Sequence, residues 1–531
     1  MVNRIFIKHQ KENITPVIYD ILKNLPEDCE NIIEFEKGTY YFHKEGSSQY
    51  PIFSAAGRCC DGRPGNVLFP LINIKNLTID GCGSDFVFCD RVQPFMLKDS
   101  KNITLRNFTT DYSFLRYAYG DVVSATDEGF EISINKELSN YYVDENILYF
   151  VCGSEAVSTK TRKISVKPIG GTKTGICFMY VGDYEGEYNG AATNVFVDVQ
   201  QKEETLLVRY KKDTQKPPFI IEAGDRLCMA YDNDREYQLV ILENCKNTVI
   251  NNISIYRNGG MGIAADVCEN VLIDGIKFGL KPGRDEYYSS TADAIFSTNC
   301  SGDFILRNSS IIDTYDDALN IHGYYLKVKE VGDNNKLTLG NVHVSHKGIL
   351  SVKEGDMLYF NDPETATELF SAKVETVSYD ESRENMYLTV SDTNGIKPGM
   401  IVENKTRMAN LLVENNVIKR CPHLRISARN AIIRNNILSL KNGDIFVDDL
   451  WGFWAEYGAL ENAEITGNRF GIPKNANITV RSCRPEGHNR NHKNIVIKDN
   501  TFENSYEKAI SVSSADNVIM ENNKFGVKFE G

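Results

Sequence analysis

A short cassette recurs along the chain: an Asn, a run of alternating apolar residues, an Asn or Gly, and one more apolar residue. It reads Asn76-LTIDG, Asn102-ITLRNF, Asn247-TVINNI, Asn270-VLIDGI, Asp303-FILRNSSI, Asn410-LLVENNVI, Asn430-AIIRNNIL, Asn462-AEITGNRF, Asn494-IVIKDNTF and Asn517-VIMENNKF. Each copy has the period of a β-strand and then a turn where Asn or Gly tolerates left-handed backbone. One such strand cannot bury its inner face. Stacking successive copies about 4.8 Å apart does so, with like residues over like. Neighbouring copies lie 23 residues apart at Asn247 and Asn270, 20 at Asn410 and Asn430, and 32 at Asn462 and Asn494. That is one coil of a three-sided helix with corner loops of varying length. Apolar alternation alone also suits a β-sandwich; ten copies at irregular spacing do not. The expected fold is all-β, a right-handed parallel β-helix.

Two stretches, 112–240 and 324–405, interrupt the cassette with hairpin-like strands and turn signals such as GDRLCMAYDN and GDMLYFND. They predict small β-barrel or β-sandwich insertions at coil corners, where they can wall a cleft. Thr15-Pro16-VIYDILKNL carries an N-cap residue, Pro at N1 and an apolar stripe, and predicts a helix capping the open end of the first coil. The expected division is 1–111 for the cap helix and first coils, 112–240 for the first insertion and 241–323 for the coils bearing the candidate catalytic residues. The second insertion then takes 324–405, and the C-terminal coils take 406–531.

At 531 residues core size does not limit stability. The formal net charge of −13 argues against nucleic acid and anionic membranes as partners, and against a polyanionic substrate. The 13 cysteines include no CxxC pair, which removes zinc-finger and thioredoxin-type readings. Scattered thiols and a first segment without an apolar core lead to the expectation of a cytoplasmic protein, or a secreted one if a signal has been trimmed. Cys245, Cys268 and Cys300 precede successive cassettes and predict a stacked internal column.

The densest polar constellation is TADAIFSTNC followed one coil later by DTYDDALNIHG. Asp293-Ala294-Ile295 and Asp317-Ala318-Leu319 share a pattern at a spacing of 24, which stacks the two aspartates on one face. Asp316 adjoins Asp317, and Asn320 and His322 follow. Crowded carboxylates raise at least one pKa, and a protonated acid facing an ionised carboxylate is what glycoside hydrolysis requires. Asp residues in β-helix turns also cap backbone N–H groups or bind calcium. A further condition attaches to the doublet: neighbours on a strand point oppositely, so Asp316 and Asp317 both reach a cleft only if the chain bends. The chain's two tryptophans fall in Trp451-Gly-Phe-Trp454-Ala-Glu456-Tyr457, beside Asp448 and Asp449. This reads either as an aromatic sugar platform with polar anchors or as corner filling. Arg91, Arg425 and Arg429 are further candidates for substrate contact.

In these stretches the sequence resembles glycoside hydrolase family 110, the exo-acting α-1,3-galactosidases. The resemblance runs from about residue 50 to 470 through FPLINIKNLTIDGCGSDFVFCDRVQPF, KNITLRNFTTDY, NGGMGIAADVCENVLIDGI, TADAIFSTNC, DDALNIHGYY and FWAEYGALENAEITGNRF. It implies inverting hydrolysis without metal or other cofactor, releasing terminal galactose from α-1,3-linked oligosaccharides or glycoconjugates. It also implies an acid at Asp293 and base function at Asp316 and Asp317. Substrate contacts are expected from Arg91, Asn320, His322, Arg425, Trp454 and Glu456. The chain departs from the family pattern at Phe88-Cys89-Asp90-Arg91, where FHGR is expected, and at Ile295-Phe296-Ser297, where a His is expected; both bear on sugar preference. Three alternatives stay open. One is a polygalacturonase-like hydrolase, which would need a basic pocket although basic residues are sparse in 291–323. The others are a calcium-dependent lyase and a noncatalytic glycan-binding solenoid. Self-association into a homo-oligomer is also left open.

Overall fold

The computed structural model describes residues 2–55, 61–160, 163–170, 173, 175–182, 194–230, 236–448, 454–482 and 492–529. The cassettes form the strands of a three-sided parallel β-helix. On one side Lys246–Ile255, Glu269–Asp274, Ser301–Arg307, Asn410–Glu414, Asn430–Arg434, Asn462–Thr466, His492–Lys498 and Ala515–Glu521 pair in parallel, each with the next. A left-handed residue bends the chain at the end of most cassettes, for example Asn252, Gly275, Asn308, Asn415, Asn435 and Gly467. The short strands beyond the bend, such as Lys277–Phe278, Ser310–Ile312 and Val417–Lys419, build the second side. The third side stacks Gln93–Lys98, Val240–Glu243, Ile263–Asp266, Ile295–Thr298, Leu319–Tyr324, Leu424–Ile426, Ile445–Val447, Ile478–Val480 and Ile510–Val512.

Two asparagine ladders explain why the cassette keeps this residue. The leading Asn side chains bond rung to rung along the surface: Asn102 to Asn76 at 2.7 Å, Asn247 to Asn102 at 3.0 Å, Asn270 to Asn247 at 3.0 Å, and again from Asn410 through Asn430, Asn462 and Asn494 to Asn517. A second ladder, Asn416–Asn436–Asn468–Asn500–Asn523, runs inside and satisfies the backbone groups freed at the bends. The apolar side chains between them fill one continuous core. Cys245, Cys268 and Cys300 form an internal column, with the Cys245 N–H 3.4 Å from the Cys268 sulfur. The ten described cysteines are all free thiols.

The helix is Thr15–Lys23, and its Ile14 and Ile18 seal the end of the core. Thr15 is not its N-cap. That position falls to Ile14, Asn13 Oδ1 accepts from the Thr15 N–H, and the Thr15 hydroxyl turns to the His43 carbonyl. An additional strand, Val2–Ile7, pairs with Glu30–Phe35 and extends the solenoid beyond the helix. Among the described residues no helix is long and apolar enough to cross a membrane.

Both interruptions contain closed barrels. Seven strands between Ala118 and Ala230 close one, and six between Leu326 and Asn404 close the other. The first enters the chain before Val240–Glu243 and packs Tyr117, Tyr119 and Cys228 against Tyr288 and Tyr315 of the coils. The second leaves from Leu319–Tyr324 and packs over Met261, Ala264 and Phe296. The third side of the solenoid is thus flanked by one barrel near the starts of its strands and the other near their ends.

Candidate functional site

The Asp-Ala-apolar pattern has a direct structural reading. Ala294 and Ala318 are fully buried and turn into the solenoid core with Ile295 and Leu319. The Ala294 N–H donates to the Asp317 carbonyl (2.9 Å) and the Gly262 N–H to the Asp293 carbonyl (3.0 Å). Ile295 pairs with Leu319, so Asp293 and Asp317 hold equivalent positions on successive coils. They are 2% and 5% exposed.

The doublet lies in a turn. Asp316 and Asp317 precede the strand Leu319–Tyr324 rather than lying in it. The Thr314 hydroxyl donates to the Asp316 carbonyl (2.6 Å), and the Asp317 N–H donates to Asp316 Oδ1 (3.1 Å). Both carboxylates therefore bear on the same neighbour, Arg425. Burial pulls the Arg425 guanidinium down, but Asp317, Glu456, Asp448 and Asp316 outweigh it and hold it above its ordinary range. Its Nε lies 3.5 Å from Asp317 and its Nη1 3.6 Å from Asp448. His423 Nδ1 stands 3.0 Å from Asp317 Oδ1.

Outward side chains of the third side form two columns. One runs Ala264, Phe296, Asn320, Arg425, Phe446; the other runs Asp266, Thr298, His322. His322 Nδ1 contacts the Gly323 carbonyl at 2.8 Å, and Nε2 lies 3.6 Å from Glu456. Asn320 Oδ1, His322 Nε2 and Arg425 Nη1 are buried without a hydrogen-bond partner. Leaving such an atom unsatisfied costs about 1–3 kcal/mol, and a ligand hydroxyl would satisfy each.

Glu456 is delivered by the two-residue strand Glu456–Tyr457, which pairs antiparallel with Gly323–Tyr324. The pairing requires glycine, since a Cβ on residue 323 would lie 2.4 Å from the Tyr457 ring. Gly323→Ala is expected to cost about 1–3 kcal/mol of stability through overpacking and to raise KM by displacing Glu456, read by thermal unfolding and steady-state kinetics. An unchanged KM would place Glu456 outside the binding site.

The structure thus brings together Asp293, Asp316, Asp317, Asn320, His322, Arg425 and Glu456. Trp454 is half-exposed at the margin, its ring 5.2 Å from His343 of the second barrel. Trp451 and Asp449 lie outside the described residues. Arg91 is three rungs nearer the N-terminus, about 14 Å along the axis, where its described partners are Glu236 and Glu155. Arg429 pairs with Glu461 on the exposed side of the cassette strands.

Sequence reasoning passed over His423, Asp448 as a charged partner, and Lys167. His423 had a usable signal, since it precedes the next third-side strand as Asp293 and Asp317 approach theirs. Lys167 had none, because it arrives from the first barrel. Its Nζ donates to the Tyr315 carbonyl (3.1 Å) and sits over the Tyr315 ring. Burial, with Lys441 nearby, pulls its ammonium down to about 8 against the opposing pull of Asp316 and Asp317. Among the described residues no group of three His, Cys, Asp or Glu is arranged to hold a metal ion.

No family model matches the chain. Over most of its length it is similar to curated proteins named α-1,3-galactosidase. It is 26% identical to alpha-1,3-galactosidase A of Shewanella woodyi, covering 86% of this chain and 74% of the relative. With alpha-1,3-galactosidase B of Phocaeicola vulgatus the identity is 26%, covering 96% and 87%. These relatives agree with the family resemblance carried by the TADA and DDALNIHG stretches. Among solved structures, a polygalacturonase from Erwinia carotovora aligns over 99% of this chain and 95% of its own at a TM-score of 0.40 and 10% identity.

Proposed function

We propose that the chain is an exo-acting, inverting glycoside hydrolase that releases terminal galactose from α-1,3-linked galactosides. The observation that carries this reading is the in-register stacking of Asp293 on Asp317, with unsatisfied polar groups on the adjoining rungs. In the proposed reaction Asp293 protonates the leaving oxygen. Asp316 and Asp317, facing Arg425, His423 and Lys167, activate a water on the opposite side of the sugar. Inversion needs the two carboxyls about 6.5–9.5 Å apart. Rungs about 4.8 Å apart would supply that separation with the two side chains splayed outward. Asn320, His322, Arg425 and Glu456 bind ring hydroxyls, and Trp454 borders the aglycone side. The names of the relatives support the galactoside and the linkage.

The test is a screen of aryl glycosides and α-1,3-linked galacto-oligosaccharides, with NMR of the first sugar released. Galactose appearing first as the β anomer is expected. The α anomer first would overturn inversion, and release of internal fragments would overturn exo action. A specific arrangement of charges favours a second reading, a polygalacturonase-like hydrolase. Basic residues are sparse in 291–323, but folding brings Lys167, Lys441, His423 and Arg425 around that segment. A galacturonide carboxylate could be met there, so polygalacturonate belongs in the same screen.

A further inference from the structure

The first barrel grips the catalytic turn at two points. Its strand Ile164–Pro168 places Ser165 Oγ 2.6 Å from the Tyr315 phenol and Lys167 Nζ 3.1 Å from the Tyr315 carbonyl. Tyr315 immediately precedes Asp316 and Asp317 and is only 6% exposed. Tyr288 lies edge-on to it at 5.1 Å, and the Lys167 ammonium lies over both rings, 4.6 and 5.7 Å from their centroids. One residue of the strand holds the side chain of Tyr315, and the next residue facing the same way holds its backbone. We propose that Lys167 is a positioning residue of the active site: through Tyr315 it sets the Asp316–Asp317 turn, and it places a positive charge beside it. The proposal rests on the hydrolase reading above for the catalytic role of the turn, but not for the clamp or its charge.

Lys167 is faced by Lys441, Cys228, Tyr288, Tyr315, Asp316 and Asp317. The doublet is faced in addition by Arg425 and, at Asp317, by His423. An opposite charge nearby lowers a carboxyl pKa, so its removal raises it. The experiment is a pH titration of protein labelled with 13C at the Asp carboxyls, in wild type, Lys167→Met, Lys167→Arg and Ser165→Ala. Resonances are assigned by their loss in Asp316→Asn and Asp317→Asn. Lys167→Met is expected to move the titration of the doublet upward by about one unit, and Lys167→Arg to restore it. Ser165→Ala, which loosens the same clamp without changing charge, is expected to leave the titration in place and to lower kcat through the turn. In active enzyme the acid limb of kcat/KM shifts with the resonances. A titration unmoved in Lys167→Met, or a kcat unchanged in both Lys167→Met and Ser165→Ala, overturns the proposal. A wild type that hydrolyses no glycoside overturns the hydrolase reading instead and leaves the titration to decide this one.

Discussion

Asp317→Asn is expected to lower kcat by at least about 10³-fold while the protein stays folded. The substitution keeps the volume of the side chain and an oxygen for His423, which sits 3.0 Å away. It also keeps the in-register bond from the Ala294 N–H to the residue 317 carbonyl. What it removes is the capacity to take a proton and the negative charge facing Arg425 at 3.5 Å. If Asp317 acts only in turn structure, as an Asp capping N–H groups would, the amide replaces it with little effect on rate. If it serves as base, the loss falls on kcat with KM little changed. Asp316→Asn separates the members of the doublet. The variant with the greater loss of kcat contains the altered proton acceptor, and near-normal turnover in both rules the site out. Circular dichroism and thermal unfolding of each variant check that the solenoid is intact.

Asn468→Ala is expected to destabilise the chain by about 3 kcal/mol or more, whereas Asn462→Ala stays within about 0.5 kcal/mol of wild type. Both side chains belong to asparagine ladders, and they differ in burial. Asn468 is 1% exposed; its amide donates to the Ile433 carbonyl and to Asn500, and its oxygen accepts from the Asn436 backbone and side chain. Truncation orphans the Asn436 N–H and the Ile433 carbonyl where water does not reach them, and it leaves a void. Asn462 makes one bond to Asn430 and accepts one from Asn494, all on the surface, where water replaces them. Denaturant unfolding of the two variants measures the contrast. Equal stabilities would mean that the inner ladder does not hold the coils together.

The candidate site was partly legible before folding. The spacing of 24 between Asp293 and Asp317 reads as one coil because the repeat is written covalently, and the backbone ladder keeps that register. Asn320 and His322 were legible for the same reason, lying on the same rung as Asp317. Arg425 and Glu456 were legible only as residue types. The second barrel and further coils separate them from the aspartates along the chain, and nothing in their local pattern says which surface they face. His423 lies just before the strand Leu424–Ile426, so the strand pattern that includes Arg425 does not include it. Arg91, read as a substrate contact, has its described partners in Glu236 and Glu155, three rungs from Asp293.

By itself the sequence determined the coil, the bends and the stacking of two aspartates. Each is a local periodicity repeated until neighbouring copies have to pack against one another. Tertiary structure alone decided which charges meet that pair. His423 and Arg425 lie a barrel away in sequence but one rung away in space, and Lys167 comes from a separate barrel docked on Tyr315. Electrostatic partners depend on distances of a few ångströms between side chains, and a linear pattern interrupted by closed insertions does not record them.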